Sequence, residues 1–136
     1  MIHTTHTLRV RYAETDPMKY VYYGHYATYL EVARVELFRT LGIPYDDIEK
    51  QGIWLPVSEF SIKYLKPARY DQNLEIHTFI KKIPGVRIEF EYEIYNDSKE
   101  KITEAKTTLF FLDSQKNKVV KCPDFLMNLI LKNWQD

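Results

Sequence analysis

One carboxylate, Asp16, lies in a proline-containing loop shortly before a predicted helix that starts at Gly24. The first amides of a helix have no acceptor within the helix, and that end carries a partial positive charge. A carboxylate can serve as base or nucleophile, and free amides can hold an oxyanion, so together they suit acyl transfer. In a Thr-Asp-Pro loop, Asp16 also fits a turn or capping residue.

Two further features surround this loop. His25 falls in the first turn of the predicted helix and is an alternative base, since histidine titrates near neutral pH. It is equally consistent with a residue that has no catalytic role and only senses the helix dipole. Five tyrosines crowd the same stretch, which indicates core and interface packing, an aromatic wall beside a ligand, or both. They are Tyr20, Tyr22, Tyr23, Tyr26 and Tyr29.

Composition excludes several classes of protein. The 136 residues include 19 Lys and Arg and 19 Asp and Glu, so the net charge of zero provides no basic footprint for nucleic acid. A net charge near zero also fits a chain that buries surface in an oligomer. The single cysteine, Cys122, excludes an internal disulfide framework and a cysteine-based zinc site, and is predicted to be a small buried hydrophobe.

The N-terminal residues show no basic region followed by an apolar run, so no secretory signal is expected. No apolar stretch approaches the roughly 20 residues of a membrane span. These observations predict a cytoplasmic protein without a membrane span. With this length, residues 1–136 are expected to form a single domain.

The longest predicted helix covers Gly24–Leu41 and ends at the stop signal formed by Gly42 and Pro44. Apolar residues spaced three or four apart form one stripe along it, and the charged residues lie mostly off that stripe. The stripe comprises Tyr26, Leu30, Ala33, Leu37 and Leu41. The charged residues are Glu31, Arg34, Glu36 and Arg39.

The remainder is rich in predicted strands, and a short helix opens at Pro123. The strands are predicted at residues 6–12, 54–65, 74–80, 86–94, 102–112 and, as a short extension, 118–121. The clearest alternation is at 86–94, where the face carrying Glu89, Glu91 and Glu93 is expected to be solvated. Short turns require antiparallel neighbours, and only the long helix is large enough to cover one sheet face. The predicted fold is α+β, an antiparallel sheet wrapped around one long central helix.

Two stretches of sequence form recognisable motifs. The first motif is Tyr-Ala-Glu-Thr-Asp at residues 12–16, followed by Val-Tyr-Tyr at 21–23 and by Tyr26. Through this motif the chain resembles the hotdog-fold acyl-CoA thioesterases, in the 4-hydroxybenzoyl-CoA thioesterase-like branch that includes the thioesterase of the Tol-Pal envelope system. A second, supporting stretch is Leu-Pro-Val at 55–57 with residues 64–71. The order of elements extends the resemblance over essentially the whole chain.

The resemblance implies Asp16 as general base or nucleophile, and the backbone N–H of Tyr23 as the oxyanion donor. It implies a homodimer, often a homotetramer, whose two sheets join and whose active sites lie between subunits. Coenzyme A is bound without a metal and no cofactor is required. The candidate substrate-binding residues are Tyr22, Gly24, His25, Tyr26 and Glu59.

Three positions depart from the common family pattern: Lys19 in place of Gly, Tyr23 in place of His, and His25 in place of Asn. Lys19 is expected to lean out of a tight turn and to alter the mouth of the substrate site. Glu31 is a weaker alternative to Asp16, because another hotdog branch carries its carboxylate on the central helix. Glu59 either lines the pocket or pairs with a basic residue.

Basic side chains that could hold coenzyme A phosphates are equally explained as surface charges. They are Lys63, Lys66, Arg69 and Arg87. No Gly-X-Ser-X-Gly elbow, phosphate-binding Gly-rich loop or metal-spaced His/Cys cluster occurs. The sequence therefore predicts an acyl-CoA thioesterase. The alternatives are an acyl-carrier-protein thioesterase and a non-catalytic hotdog module that binds acyl-CoA or a protein partner.

Overall fold

A computed structural model describes residues 1–136 and contains one antiparallel sheet around a long helix. The strands are β1 (Ile2–Arg9), β2 (Ile53–Trp54), β3 (Val57–Tyr64), β4 (Asn73–Ile80), β5 (Arg87–Tyr95), β6 (Lys101–Asp113) and β7 (Lys118–Val120). The helices are α1 (Gly24–Leu41), α2 (Tyr45–Lys50) and α3 (Asp124–Lys132), and one 3-10 turn covers Tyr12–Glu14. None of the three helices combines the length and the apolar character that crossing a membrane demands.

The sheet follows the order β1-β4-β5-β6, with all neighbours antiparallel. β6 is long enough to pair with β3 along its first part and with β2 near its end. β1 and β3 therefore have only one strand neighbour each. The sheet curls around α1, so the predicted α+β architecture is confirmed.

The core lies between α1 and the concave face of the sheet. Leu30, Ala33 and Leu37 of the helix stripe are buried against β-strand residues such as Ile76 and Phe90. Each fully buried aliphatic or aromatic side chain contributes roughly 1.5–3 kcal/mol through removal of apolar surface from water. The predicted stripe is confirmed, but Arg34, expected off the stripe, is also buried, where its guanidinium donates to the Tyr92 hydroxyl at 3.1 Å.

The alternation along β5 is confirmed. Ile88, Phe90, Tyr92 and Ile94 are buried, whereas the three glutamates between them are half-exposed and pair with lysines on the opposite face. The helix α1 ends where predicted, because Gly42 adopts a left-handed backbone with φ of 103°. That conformation is readily available only to glycine.

The structure corrects three sequence predictions. The first strand covers Ile2–Arg9 instead of residues 6–12, because the Glu14 carboxylate accepts the Arg11 amide at 2.8 Å and draws the chain into a 3-10 turn. The strand predicted at 54–65 is interrupted at Pro56, which has no N–H to donate to the ladder. Helix α2 is absent from the sequence prediction, which gives Pro44 only the role of ending α1, although Pro and acidic residues also begin helices.

Candidate active site

The Asp16 loop is closed by its own backbone. The Asp16 amide donates to the Tyr20 carbonyl at 2.8 Å, and the Lys19 amide donates to the Asp16 carbonyl at 2.9 Å. Lys19 has a positive φ of 67°, which explains why glycine is favoured in such a turn. Its exposed side chain leans outward, as expected, with Nζ 4.2 Å from the centre of the Tyr12 ring.

The Asp16 carboxylate is held by one oxygen and free at the other. Oδ1 accepts hydrogen bonds from the amides of Met18, at 2.9 Å, and Tyr20, at 3.1 Å. Oδ2 has no protein partner, and the half-buried side chain lines a cleft. The loop thus orients the carboxylate while leaving one oxygen available for chemistry, so its turn role and a catalytic role are compatible.

Helix α1 begins with amides that are not used inside the protein. The amides of Tyr23 and Gly24 donate to no backbone carbonyl, whereas His25 donates to the Tyr22 carbonyl at 3.0 Å and Tyr26 to the Tyr23 carbonyl at 3.2 Å. No side chain caps this end, and its first turn has no acidic residue. The free amides at a helix N-terminus form a favourable site for an anion.

The cleft, about 560 Å³ in volume, brings Asp16 together with the start of α1 and the end of β3. Tyr26 is buried at its base, with its ring edge-to-face against Tyr64 at a centroid distance of 5.0 Å. The walls are mainly apolar, which lowers the local dielectric and strengthens hydrogen bonds to a charged group. The cleft is lined by Asp16, Tyr20, Val21, Tyr22, Tyr23, Tyr26, Tyr64, Leu65, Lys66 and Pro67.

Gly24 allows a close approach of an aromatic ring to the start of α1. A Cβ atom at this position would lie 2.8 Å from Cε2 of the Tyr22 ring. Without one, the Tyr22 ring lies over the start of the helix and packs against Tyr23 at a centroid distance of 4.8 Å. The aromatic wall and the free amides therefore occupy the same few residues.

The remaining predicted residues lie outside the cleft of the single chain. His25 is half-buried beside the Tyr22 ring, at a centroid distance of 6.1 Å. Glu59 of β3 lies opposite Thr108, in a separate groove on the sheet, and the single chain does not bring it to Asp16. The roles predicted for His25 and Glu59 stay predictions, and Glu31 is exposed on α1.

Of the basic candidates, only Lys66 lines the cleft, and it pairs with Glu100. The Arg69 guanidinium lies 4.8 Å from the centre of the Tyr20 ring, where it braces the Asp16 loop. Lys63 and Arg87 border the grooves on the sheet.

Cys122 is buried away from this site, and burial raises the pKa of its thiol to about 12. A protonated, buried thiol is a poor nucleophile, so the prediction of a structural cysteine is confirmed.

One residue beside the site was not identified from the sequence. Glu14 is buried, and its carboxylate is hydrogen-bonded to Arg11 and to the Tyr29 hydroxyl. The Arg-X-X-Glu spacing was the available local signal. The tertiary contact to Tyr29 carries no such signal, because it depends on how α1 packs against the loop.

Comparison with known proteins agrees with this geometry. The family model described as the thioesterase-like superfamily matches residues 10–130. The chain is 36% identical, over 84% of its length and 83% of the relative's, to a putative acyl-CoA thioesterase, YneP, of Bacillus subtilis. It is 35% identical to the acyl-acyl carrier protein thioesterase ATL2 of Arabidopsis thaliana, covering 79% of this chain and 58% of that protein.

Among solved structures, a DHNA-CoA thioesterase from Staphylococcus aureus superposes with a TM-score of 0.89 and 34% sequence identity. The match covers 97% of this chain and 91% of that one. The predicted hotdog fold and the predicted class of enzyme are both confirmed. The chain belongs to the thioesterase-like superfamily, and it is a hotdog-fold thioesterase.

Proposed function

We propose that this thioesterase hydrolyses acyl-CoA to free acid and coenzyme A, with Asp16 as the catalytic carboxylate and the start of α1 as the oxyanion site. The observation that carries the proposal is one cleft lined both by Asp16, with an unbonded carboxylate oxygen, and by Tyr23, whose unbonded amide lies at the start of α1. The relative named as an acyl-CoA thioesterase and the neighbour named for a CoA thioester support coenzyme A as the carrier.

Two routes use Asp16 differently. As a general base, Oδ2 takes a proton from water while the water oxygen bonds to the thioester carbonyl carbon. As a nucleophile, Oδ2 bonds to that carbon itself, and water later cleaves the resulting mixed anhydride. In both routes the C–S bond breaks, and the thiolate of coenzyme A leaves with the electron pair.

Negative charge develops on the carbonyl oxygen in either route. The amides of Tyr23 and Gly24 are the available donors, and the helix dipole favours an anion at this end. Removing one preorganised donor of this kind costs roughly 3–4 kcal/mol in well-studied sites. The mainly apolar lining offers the acyl group a surface poor in polar partners, which favours its transfer out of water.

The test is release of coenzyme A from short-chain, long-chain and aromatic acyl-CoAs. Asp16→Asn keeps the shape of the side chain, so we expect kcat/KM to fall by at least about 100-fold at unchanged melting temperature. Asp46→Asn, on the exposed side of α2, is the matched control and should retain full activity. Turnover by Asp16→Asn at the wild-type rate contradicts the proposal.

A single-turnover reaction in ¹⁸O-labelled water separates the two routes. If Asp16 is the nucleophile, an acyl-enzyme anhydride forms and can be trapped. When water attacks the Asp16 carbonyl of that anhydride, the label enters the Asp16 carboxylate. Direct attack by water places the label only in the released acid.

The second candidate substrate is an acyl-carrier-protein thioester, favoured by the similarity to ATL2. The chemistry at Asp16 is the same for both, because only the group beyond the thiol differs. Comparing kcat/KM for the same acyl group on coenzyme A and on acyl carrier protein decides between them. A chain that binds acyl-CoA but hydrolyses neither thioester would be the non-catalytic binding module.

We also propose that the enzyme works as a homodimer that pairs through β3. This strand has one sheet neighbour, and nearly all of its residues are exposed, including the large apolar side chains of Phe60 and Tyr64. An exposed, partly apolar edge strand is normally covered in a native protein. A homotetramer is proposed from the family resemblance, and a single domain over residues 1–136 is proposed from the length of the chain.

A cytoplasmic location is proposed on the state of its cysteine. Cys122 is a free, buried thiol and the chain has no other cysteine, so the fold makes no use of an oxidising compartment.

A further inference from the structure

A buried carboxylate separate from Asp16 sits directly behind the catalytic loop. The Glu14 side chain, only 6% exposed as a residue, accepts hydrogen bonds at both oxygens. Oε1 accepts from the Arg11 amide at 2.8 Å and from the Tyr29 hydroxyl at 2.8 Å; Oε2 accepts from the Arg11 guanidinium at 2.9 and 3.2 Å. Arg11 and Tyr29 therefore donate all the hydrogen bonds that this buried carboxylate accepts.

Burial alone would raise the pKa of Glu14, but the hydrogen bonds from Arg11 and Tyr29 hold that pKa below its usual value. Burial and the neighbouring carboxylate together raise the pKa of the Tyr29 hydroxyl. At neutral pH the contact is consequently a charged acceptor and a protonated donor. Charge-assisted hydrogen bonds of this kind are shorter and stronger than neutral ones.

The contact between Glu14 and Tyr29 links the Asp16 loop to helix α1, the two parts of the proposed active site. Glu14 precedes Asp16 by two residues, and its carbonyl accepts the Tyr22 amide at 2.9 Å. Tyr29 belongs to the second turn of α1, the helix that presents the free amides of Tyr23 and Gly24. The side chain of Glu14 therefore binds the helix, while its backbone binds the residue just before the oxyanion donors.

We infer that Glu14 and Tyr29 are positioning residues that fix the distance between the Asp16 carboxylate and the oxyanion amides. The inference rests on the proposed function and assigns residues that touch neither the thioester nor its carrier. A buried charge is a poor source of stability compared with apolar packing of the same volume. Its value here is rigidity, because a displacement of about 1 Å at a catalytic site can cost roughly 100-fold in rate.

The experiment is Tyr29→Phe, which removes one hydroxyl and no packing volume. We expect kcat to fall about tenfold, because the Asp16 loop is no longer held at a fixed distance from α1. KM should stay within about twofold of the wild-type value, because the cleft that binds the acyl group remains. In an Asp16→Asn background, the same substitution should change the residual rate by less than about twofold. If Tyr29 acts only by positioning the Asp16 carboxylate, its substitution has no further effect on the rate when that carboxylate is absent.

Tyr92→Phe is the matched control. Tyr92 is also a buried tyrosine away from the cleft, and its hydroxyl contacts Thr107 at 2.8 Å and accepts from Arg34 at 3.1 Å. Because Arg34 loses a buried partner, Tyr92→Phe should lower the melting temperature at least as much as Tyr29→Phe while leaving kcat at the wild-type value. Glu14→Gln, which disturbs the partners of both oxygens, should lower kcat at least as much as Tyr29→Phe.

Three results separate the possibilities. An enzyme that depends on Asp16, but in which Tyr29→Phe retains the wild-type kcat, overturns the positioning role alone. A tenfold loss that persists in the Asp16→Asn background, or that Tyr92→Phe reproduces, also overturns it, since the effect would then be general to folding. Activity independent of Asp16 overturns the proposed function instead, and it is detected before any Tyr29 variant is made.

Discussion

The two ends of helix α1 are built in opposite ways. At the C-terminal end, the Gly42 amide donates to the Arg39 carbonyl at 3.0 Å and the Ile43 amide donates to the Phe38 carbonyl at 3.1 Å. At the N-terminal end, the Tyr23 and Gly24 amides have no acceptor and no side chain caps them.

Capping is worth about 1 kcal/mol when a suitable side chain is present. The N-terminal end forgoes that stabilisation, although α1 is the helix around which the whole core is packed. The N-terminal end, with its unpaired amides, lies in the cleft that also contains the free oxygen of Asp16, whereas the C-terminal end is closed by the two hydrogen bonds from Gly42 and Ile43. The contrast supports the proposal that the oxyanion takes the place of a cap at the N-terminal end, so substitutions at the two ends should separate activity from stability.

The largest effect is expected from negative charge at the open end. Tyr23→Asp and Tyr23→Asn remove the same ring and differ by one charge. A carboxylate about 5 Å from the developing oxyanion, at an effective dielectric constant of about 20, opposes it by roughly 3 kcal/mol. We therefore expect kcat/KM of the Asp variant to lie about 100-fold below that of the Asn variant.

The Asp variant should be less active than the Asn variant but more stable. A negative charge at a helix N-terminus stabilises by about 0.3–1 kcal/mol, so the Asp variant should unfold at higher denaturant concentration than the Asn variant. Equal activity in the two variants would show that no anion forms at this end of the helix.

A smaller effect is expected at Gly24. A methyl group there would lie 2.8 Å from the Tyr22 ring, which is exposed and free to rotate away. Gly24→Ala should therefore leave the unfolding free energy unchanged or slightly raised, since alanine favours helix, while the displaced ring lowers kcat/KM about tenfold.

The control uses Tyr22→Ala, which removes the ring that the new methyl group would displace. In that background, Gly24→Ala should have no further effect on kcat/KM. An undiminished tenfold loss there would mean that the methyl group obstructs the substrate directly.

Sequence alone could predict α1, because an apolar stripe with a Gly stop is a local signal that tertiary packing reinforces. It could also place Asp16 in a loop before α1, and the family motif made that residue the candidate catalytic carboxylate, a role that stays a prediction. The break at Pro56 was visible in the sequence, but apolar residues on both sides of it, Leu55 and Val57, concealed the interruption. Helix α2 was missed because Pro44 carries two opposite signals, a stop for one helix and a start for the next.

The partners within the site could not be predicted in the same way. That Asp16 would have one anchored and one free oxygen depends on the amides of Met18 and Tyr20, which the turn presents only once it is closed. The contact between Glu14 and Tyr29 joins a turn to a helix 15 residues away. Such contacts are set by packing angles, and local periodicity contains no information about those angles.

The smallest effect is expected at the closed end and should fall on stability alone. Gly42 has φ of 103°, and a Cβ there would meet no atom within 4 Å, so the cost of Gly42→Ala is the backbone strain itself. That strain is about 1–2 kcal/mol for an L-residue in the left-handed region. The unfolding free energy, measured by denaturant titration, should fall by this amount while kcat/KM stays at the wild-type value.

Gly42→Asn sharpens the result, because asparagine tolerates the left-handed conformation better than alanine and should lose less. Activity that falls in parallel with stability across these two variants would show that the two ends of α1 are coupled. Activity that stays constant would support the interpretation that α1 is stabilised at one end and left open for the thioester at the other.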